Sequence, residues 1–121
     1  MSAKRILFVD NRPEFLHQPV LRLQLAGYQV DEAVSGQEGL ARIREGGFDL
    51  VILDAELPEA DGWQVLQELR ADPATAGVKA IVLMAGKGET GKLALVEVDA
   101  ELRRPFTMAE LVEAVERVLS S

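Results

Sequence analysis

The run Leu50-Val51-Ile52-Leu53-Asp54 constrains this chain more than any other feature. Four consecutive large apolar residues leave no polar face, so a strand formed from them must be covered on both sides. The acid that ends the run then stands at the mouth of the sheet. The same pattern recurs in Ile6-Leu7-Phe8-Val9-Asp10. Predicted strands run over Arg5 to Asp10, Tyr28 to Ala33, Asp49 to Asp54, Lys79 to Ala85 and Glu101 to Arg103.

Helical patterns alternate with these runs. Pro13 to Ala26 places Phe15, Pro19, Leu23 and Ala26 on one face, and Gly27 ends it. Ser35-Gly36-Gln37-Glu38 reads as a capping box opening a helix with Leu40 and Ile43 inward, closed by Gly46. Asp61, as N-cap, and Gly62 open a helix with Leu66 and Leu69 inward, which Asp72-Pro73 ends. Gly86 to Val98 reads as a glycine-rich loop leading to a short, degraded fourth helix. Thr107-Met108-Ala109-Glu110 is a second capping box, opening a fifth helix with Leu111, Val115, Val118 and Leu119 at helical spacing. Strands alternating with helices predict an α/β fold, a doubly wound five-stranded parallel sheet.

At 121 residues with 48% hydrophobic content, residues 1–121 read as one domain with a single core. The absence of cysteine excludes disulfides and thiolate metal sites and suits a reducing cytoplasm. No apolar run is long enough for a signal peptide or membrane span, and a net charge of −7 argues against direct binding of nucleic acid or anionic membranes. No repeat or linker divides the chain. If an output domain exists, it lies on another chain or beyond the ends of this one.

In open parallel sheets, ligands sit beyond the carboxyl ends of the strands. Here those ends carry Asp10-Asn11, Asp54, Met84-Ala85 and Arg104. Phe48 to Gly62, with Asp54-Ala55-Glu56-Leu57-Pro58-Glu59-Ala60-Asp61-Gly62 at its centre, resembles the phospho-acceptor segment of bacterial response-regulator receiver domains. Ile6 to Asn11, Asp72 to Ala76 and Arg104-Pro105-Phe106 match further parts of that family.

The resemblance implies the flavodoxin-like strand order 2-1-3-4-5. It makes Asp54 the phospho-acceptor, phosphorylated by a histidine kinase or phosphotransfer protein and read by a downstream protein target. It implies Mg²⁺ held by Asp10, Asn11, Asp54 and the backbone carbonyl of Glu56. Gly86 to Val98, the fifth strand and the last helix would form the output face and a homodimer surface. A cis Arg104-Pro105 bond is implied as well.

Four positions depart from the family pattern. Asn11 replaces the second acid of the pair and brings no charge, which weakens Mg²⁺. Met84 stands at the switch position of a Thr or Ser and has no hydroxyl to donate to a phosphoryl group. Arg104 replaces a Lys, and its fork is expected to grip Asp54 through two parallel hydrogen bonds. Glu101 also takes the place of an aromatic residue. Phosphorylation is therefore expected to be weak or lost, the alternative being an interaction module that works without it. A further alternative is nucleotide binding by Gly86 to Lys92, which nearly forms a phosphate loop but has Leu93 where a hydroxyl is needed.

Several residues carry plainer readings. His17 is expected on the exposed face of the first helix, and Trp63 as a half-buried packing residue. Leu21 and Leu25 fall on the outer face. Pro19 lacks the N–H for the Phe15 carbonyl. Either the helix continues through it with a kink, or Pro19 starts the helix and Arg12 to Gln18 is an extended loop.

Overall fold

The computed structural model describes residues 3–55, 62–84 and 98–120. The elements are β1 (Arg5–Val9), α1 (Pro13–Leu25), β2 (Gln29–Ala33), α2 (Gly36–Glu45), β3 (Leu50–Asp54), α3 (Gly62–Ala71), β4 (Lys79–Met84), β5 (Ala100–Arg103) and α4 (Met108–Leu119). All five strands pair in parallel, in the order β2-β1-β3-β4-β5. This is the expected architecture, with four helices among the described residues. Glu56, Asp61, the expected fourth helix up to residue 97 and the Gly86 to Lys92 loop lie outside those residues, as does the side chain of Trp63.

Strand side chains alternate between faces, and the alternation divides the core in two. Leu7, Val9, Val51, Leu53, Val82 and Met84 pack with Leu40 and Ile43 of α2 and Leu66 and Leu69 of α3. Ile6, Phe8, Leu50, Ile52, Ile81 and Leu83 pack with Leu16, Val20 and Leu23 of α1 and Leu111, Val115 and Val118 of α4. Both faces of the central strands are covered, which explains why β3 is apolar on both sides.

Helix α1 runs through Pro19, so the reading of Arg12 to Gln18 as a loop is excluded. Pro13 lies in the first turn, where its missing N–H costs nothing, and Arg12 is the N-cap residue. Ala26, expected on the buried face, is exposed because it caps the helix, its N–H donating to the Arg22 and Leu23 carbonyls. Gly27 follows at φ +104°, the left-handed conformation that ends helices. His17, Leu21 and Leu25 are exposed.

The two capping boxes differ. Thr107 and Glu110 exchange both hydrogen bonds. Ser35 accepts from the Glu38 N–H, but the Glu38 carboxylate reaches one residue further back, to the Val34 N–H. The expected Ser35 box is thus half formed. Leu119, expected in the core, is only partly buried as the last residue of α4.

Candidate functional site

The same alternation aims the strand-end charges. Ile6 and Phe8 face α1 and α4, and so does the next residue in that period, Asp10. Leu50 and Ile52 do the same for Asp54, and Ala100 and Leu102 for Arg104. β1 and β3 are neighbours, with Val9 opposite Leu53, so the next step of the register sets Asp10 beside Asp54. Both carboxylates are buried, with side chains 1% and 0% exposed.

Gly62 secures the approach to Asp54. Its N–H donates to the Ala55 carbonyl at 2.9 Å. A Cβ there would lie 2.2 Å from the Asp54 carbonyl oxygen and 2.9 Å from the Ala55 Cα. Only glycine lets α3 start this close to the end of β3.

Two arginines close over the acids. Arg104 uses one nitrogen for both, its Nη2 lying 3.3 Å from Asp54 Oδ2 and 3.4 Å from Asp10 Oδ2. The expected two parallel bonds to Asp54 are not formed, since Arg104 reaches it through Nη2 alone. Arg12 binds more closely. Its backbone N–H and its Nε donate to Asp10 Oδ1 at 3.0 and 3.3 Å, and its Nη2 donates to Asp54 Oδ2 at 2.5 Å.

Arg12 was not among the residues singled out from the sequence. It lies in a loop, where no periodicity aims a side chain. The signal that could have found it is a cation two residues after a strand-end acid, directly before the proline that starts a helix.

Burial pushes the Asp10 carboxyl above its ordinary value, and the neighbouring charge of Asp54 adds to this. Hydrogen bonds and charge from Arg12 pull it down without reversing the direction. Desolvation works against the charge on Arg12, yet its hydrogen bond to Asp54 and the two carboxylate charges raise its pKa.

The other sequence-predicted residues fall nearby. Asn11 is half-buried beside Asp10. Met84 ends β4 on the opposite face of the sheet, fully buried among the apolar residues under α2 and α3. Glu101 is partly buried, and among the described residues its Oε2 has no hydrogen-bond partner. The Arg104-Pro105 bond is cis. A cavity of about 500 Å³ opens beside Asp10 and Arg104, lined mainly by apolar residues including Phe8, Pro19 and Phe106. Its charged lining residues are Asp10, Glu14 and Arg104.

The resemblance implies a divalent ion between Asp10 and Asp54, and the arrangement of these residues does not fit one. Hard cations need several carboxylate or carbonyl oxygens turned toward them. Here both Asp10 oxygens and Asp54 Oδ2 face guanidinium nitrogens. Among the described residues, no group of three or more His, Cys, Asp or Glu is placed to hold a metal ion. No helix among them is long and apolar enough to cross a membrane.

The response regulator receiver domain model matches residues 6–116. The chain is 34% identical over 117 residues to the DNA-binding dual master transcriptional regulator RpaA of Synechocystis sp., covering 95% of this chain and 48% of RpaA. It spans about half the length of the curated relatives it matches. Among solved structures, a CheY-like receiver domain from Methanospirillum hungatei superposes with a TM-score of 0.91 at 28% identity, over 98% of this chain and 95% of that one. The response regulator TrrA from Thermotoga maritima, solved in complex with Mg²⁺-BeF, superposes with a TM-score of 0.86 at 35% identity, over 95% and 98%. Receiver domains typically bind Mg²⁺ and interact with histidine kinases and downstream effectors. The parallel sheet in the order β2-β1-β3-β4-β5 and the match over residues 6–116 show that this chain belongs to the response regulator receiver domains of two-component signalling.

Proposed function

We propose that Asp54 is the phospho-acceptor position of this receiver and that phosphoryl transfer to it is weak, because the domain's own guanidiniums hold the nucleophile. A carboxylate attacks phosphorus with an oxygen lone pair. Asp54 Oδ2 directs its electrons at Arg12 at 2.5 Å and at Arg104 at 3.3 Å, and this observation carries the reading. Three substitutions act in the same direction. Asn11 brings no charge, Met84 offers no hydroxyl to a phosphoryl oxygen, and Arg104 engages Asp54 where a Lys would meet the product.

In this reading a histidine kinase or phosphotransfer protein is the donor and a cytoplasmic protein is the target. The chain has no turnover chemistry of its own. A net charge of −7 keeps the domain itself off nucleic acid, so DNA contact of the kind named for RpaA would need a separate domain. The surface around β5 and α4 serves as output and homodimer face. The same ion-pair cluster favours a second reading, signalling through partner contacts without phosphorylation.

Intact mass after incubation with Mg²⁺ and a small acyl phosphate tests the first reading. A minor phosphorylated fraction is expected in the parent and none in Asp54→Asn. The combined Asn11→Asp, Arg12→Gln, Met84→Thr and Arg104→Lys variant should raise that fraction. A combined variant as inert as the parent would discard this account of the impairment. A partner that binds Asp54→Asn as well as the parent would select the second reading.

A further inference from the structure

We infer that Arg12 is a built-in cation that takes the divalent ion's place between Asp10 and Asp54, so that this receiver excludes metal until Arg12 is displaced. The inference rests on reading Asp10 and Asp54 as the family's acid pair.

Charge comes first. A buried pair of carboxylates needs two positive charges close by. In a metal-binding receiver a divalent ion supplies them. Here Arg12 and Arg104 supply them from within the chain, and the four side chains sum to zero. A divalent ion added to this neutral cluster would meet two guanidiniums.

Geometry comes second. Arg12 spans the acids as a bridging ion would, with Nε on Asp10 Oδ1 and Nη2 on Asp54 Oδ2. It is not a loose surface side chain. Its backbone N–H is bound to the same Asp10 oxygen, and Pro13 begins α1 immediately after it. Proline's restricted φ limits how that junction moves. The Arg12 side chain is 33% exposed while the acids beneath are 1% and 0% exposed, so it covers them on a solvent-facing side.

Arg104 cannot play this part equally. It contacts both acids through a single nitrogen at 3.3 and 3.4 Å, against 2.5 Å from Arg12 to Asp54. Arg12 alone has separate nitrogens on each acid, and its neighbouring backbone ties it to one of them.

The test is a Mn²⁺ titration of the whole chain, followed by the enhancement of water-proton relaxation. The parent, Arg12→Gln, Arg12→Lys and Arg12→Gln/Asp54→Asn are compared. Removing the charge should tighten Mn²⁺ binding by about tenfold or more in Arg12→Gln, whereas Arg12→Lys, which keeps the charge, should stay near the parent. Adding Asp54→Asn should abolish the gain, because the ion then loses half of its carboxylates. A parent that binds Mn²⁺ as tightly as Arg12→Gln overturns the inference, and so does a gain that survives Asp54→Asn.

Should Arg12→Gln unfold without metal, urea unfolding with and without millimolar Mg²⁺ decides the matter. Mg²⁺ must then stabilise the variant and leave the parent unmoved, and equal responses overturn the inference. None of these readouts measures phosphorylation, so a failed titration and a failed mass experiment remain separate results.

Discussion

Two arginine–carboxylate clusters lie on opposite sides of this sheet, built alike and buried differently. At the β2 edge, Arg5 and Arg42 both reach Asp31 Oδ2, at 3.1 and 2.8 Å. At the carboxyl end, Arg12 and Arg104 both reach Asp54 Oδ2, at 2.5 and 3.3 Å. Asp31 is 37% exposed and Asp54 is 0% exposed. Water can replace either arginine at Asp31, and the guanidiniums of Arg5 and Arg42 also rest over the Phe48 ring, 4.3 and 5.9 Å from its centroid. Water cannot easily reach Asp54. The same ion pair is therefore interchangeable at one site and obligatory at the other. That difference makes the buried cluster a structural constraint and the exposed one a surface detail.

The comparison breaks first at Arg12. Arg12→Ala leaves a buried acid undercompensated and should cost about 3 kcal/mol of stability in urea unfolding. A loss no larger than that of Arg42→Ala, expected below about 1 kcal/mol, would remove the distinction between the clusters. Gly62→Ala strikes the buried site without touching a charge. Its methyl must displace backbone at the end of β3, which should cost about 2 kcal/mol, and an unchanged unfolding midpoint would contradict the close approach described for Gly62.

Double-mutant cycles sharpen the contrast further. Arg12→Ala with Asp54→Asn should show a coupling of about 1.5 kcal/mol, and Arg42→Ala with Asp31→Asn only about 0.3 kcal/mol. Equal couplings in the two cycles would mean that burial is not what separates them.

The smallest effect is a pH slope. The folded Asp10 pKa is raised, so the folded chain holds this proton more tightly than the unfolded one. The group's contribution is fully present below the ordinary value of 3.8 and is lost as pH rises through the folded value. The stability difference between parent and Asp10→Asn should therefore move in the variant's favour as pH rises from about 3 to about 7. A difference that does not change with pH would show that burial does not govern Asp10.

Much of the site was legible because strands alternate. Once β1, β3 and β5 were recognised, Asp10, Asp54 and Arg104 were the residues at their carboxyl ends, and the resemblance from Phe48 to Gly62 ranked Asp54 among them. The capping box at Thr107 was legible for a similar reason, since it is made within one turn. The box at Ser35 was only half right, because the Glu38 carboxylate accepts from the Val34 N–H instead of that of Ser35. Arg12 was not legible, and neither was the way Arg104 divides one nitrogen between two acids.

What the sequence determined by itself was the set of elements, their apolar faces and the placing of two acids at the mouth of a parallel sheet. Those follow from periods of two and 3.6 residues, which are local. The tertiary structure decided which cations neutralise the acids. Arg12 meets Asp10 two residues away, but the other bonds that do so join residues 42, 50 and 94 positions apart. Such contacts depend on how a loop leaves one strand and how another returns, and no local pattern encodes that path.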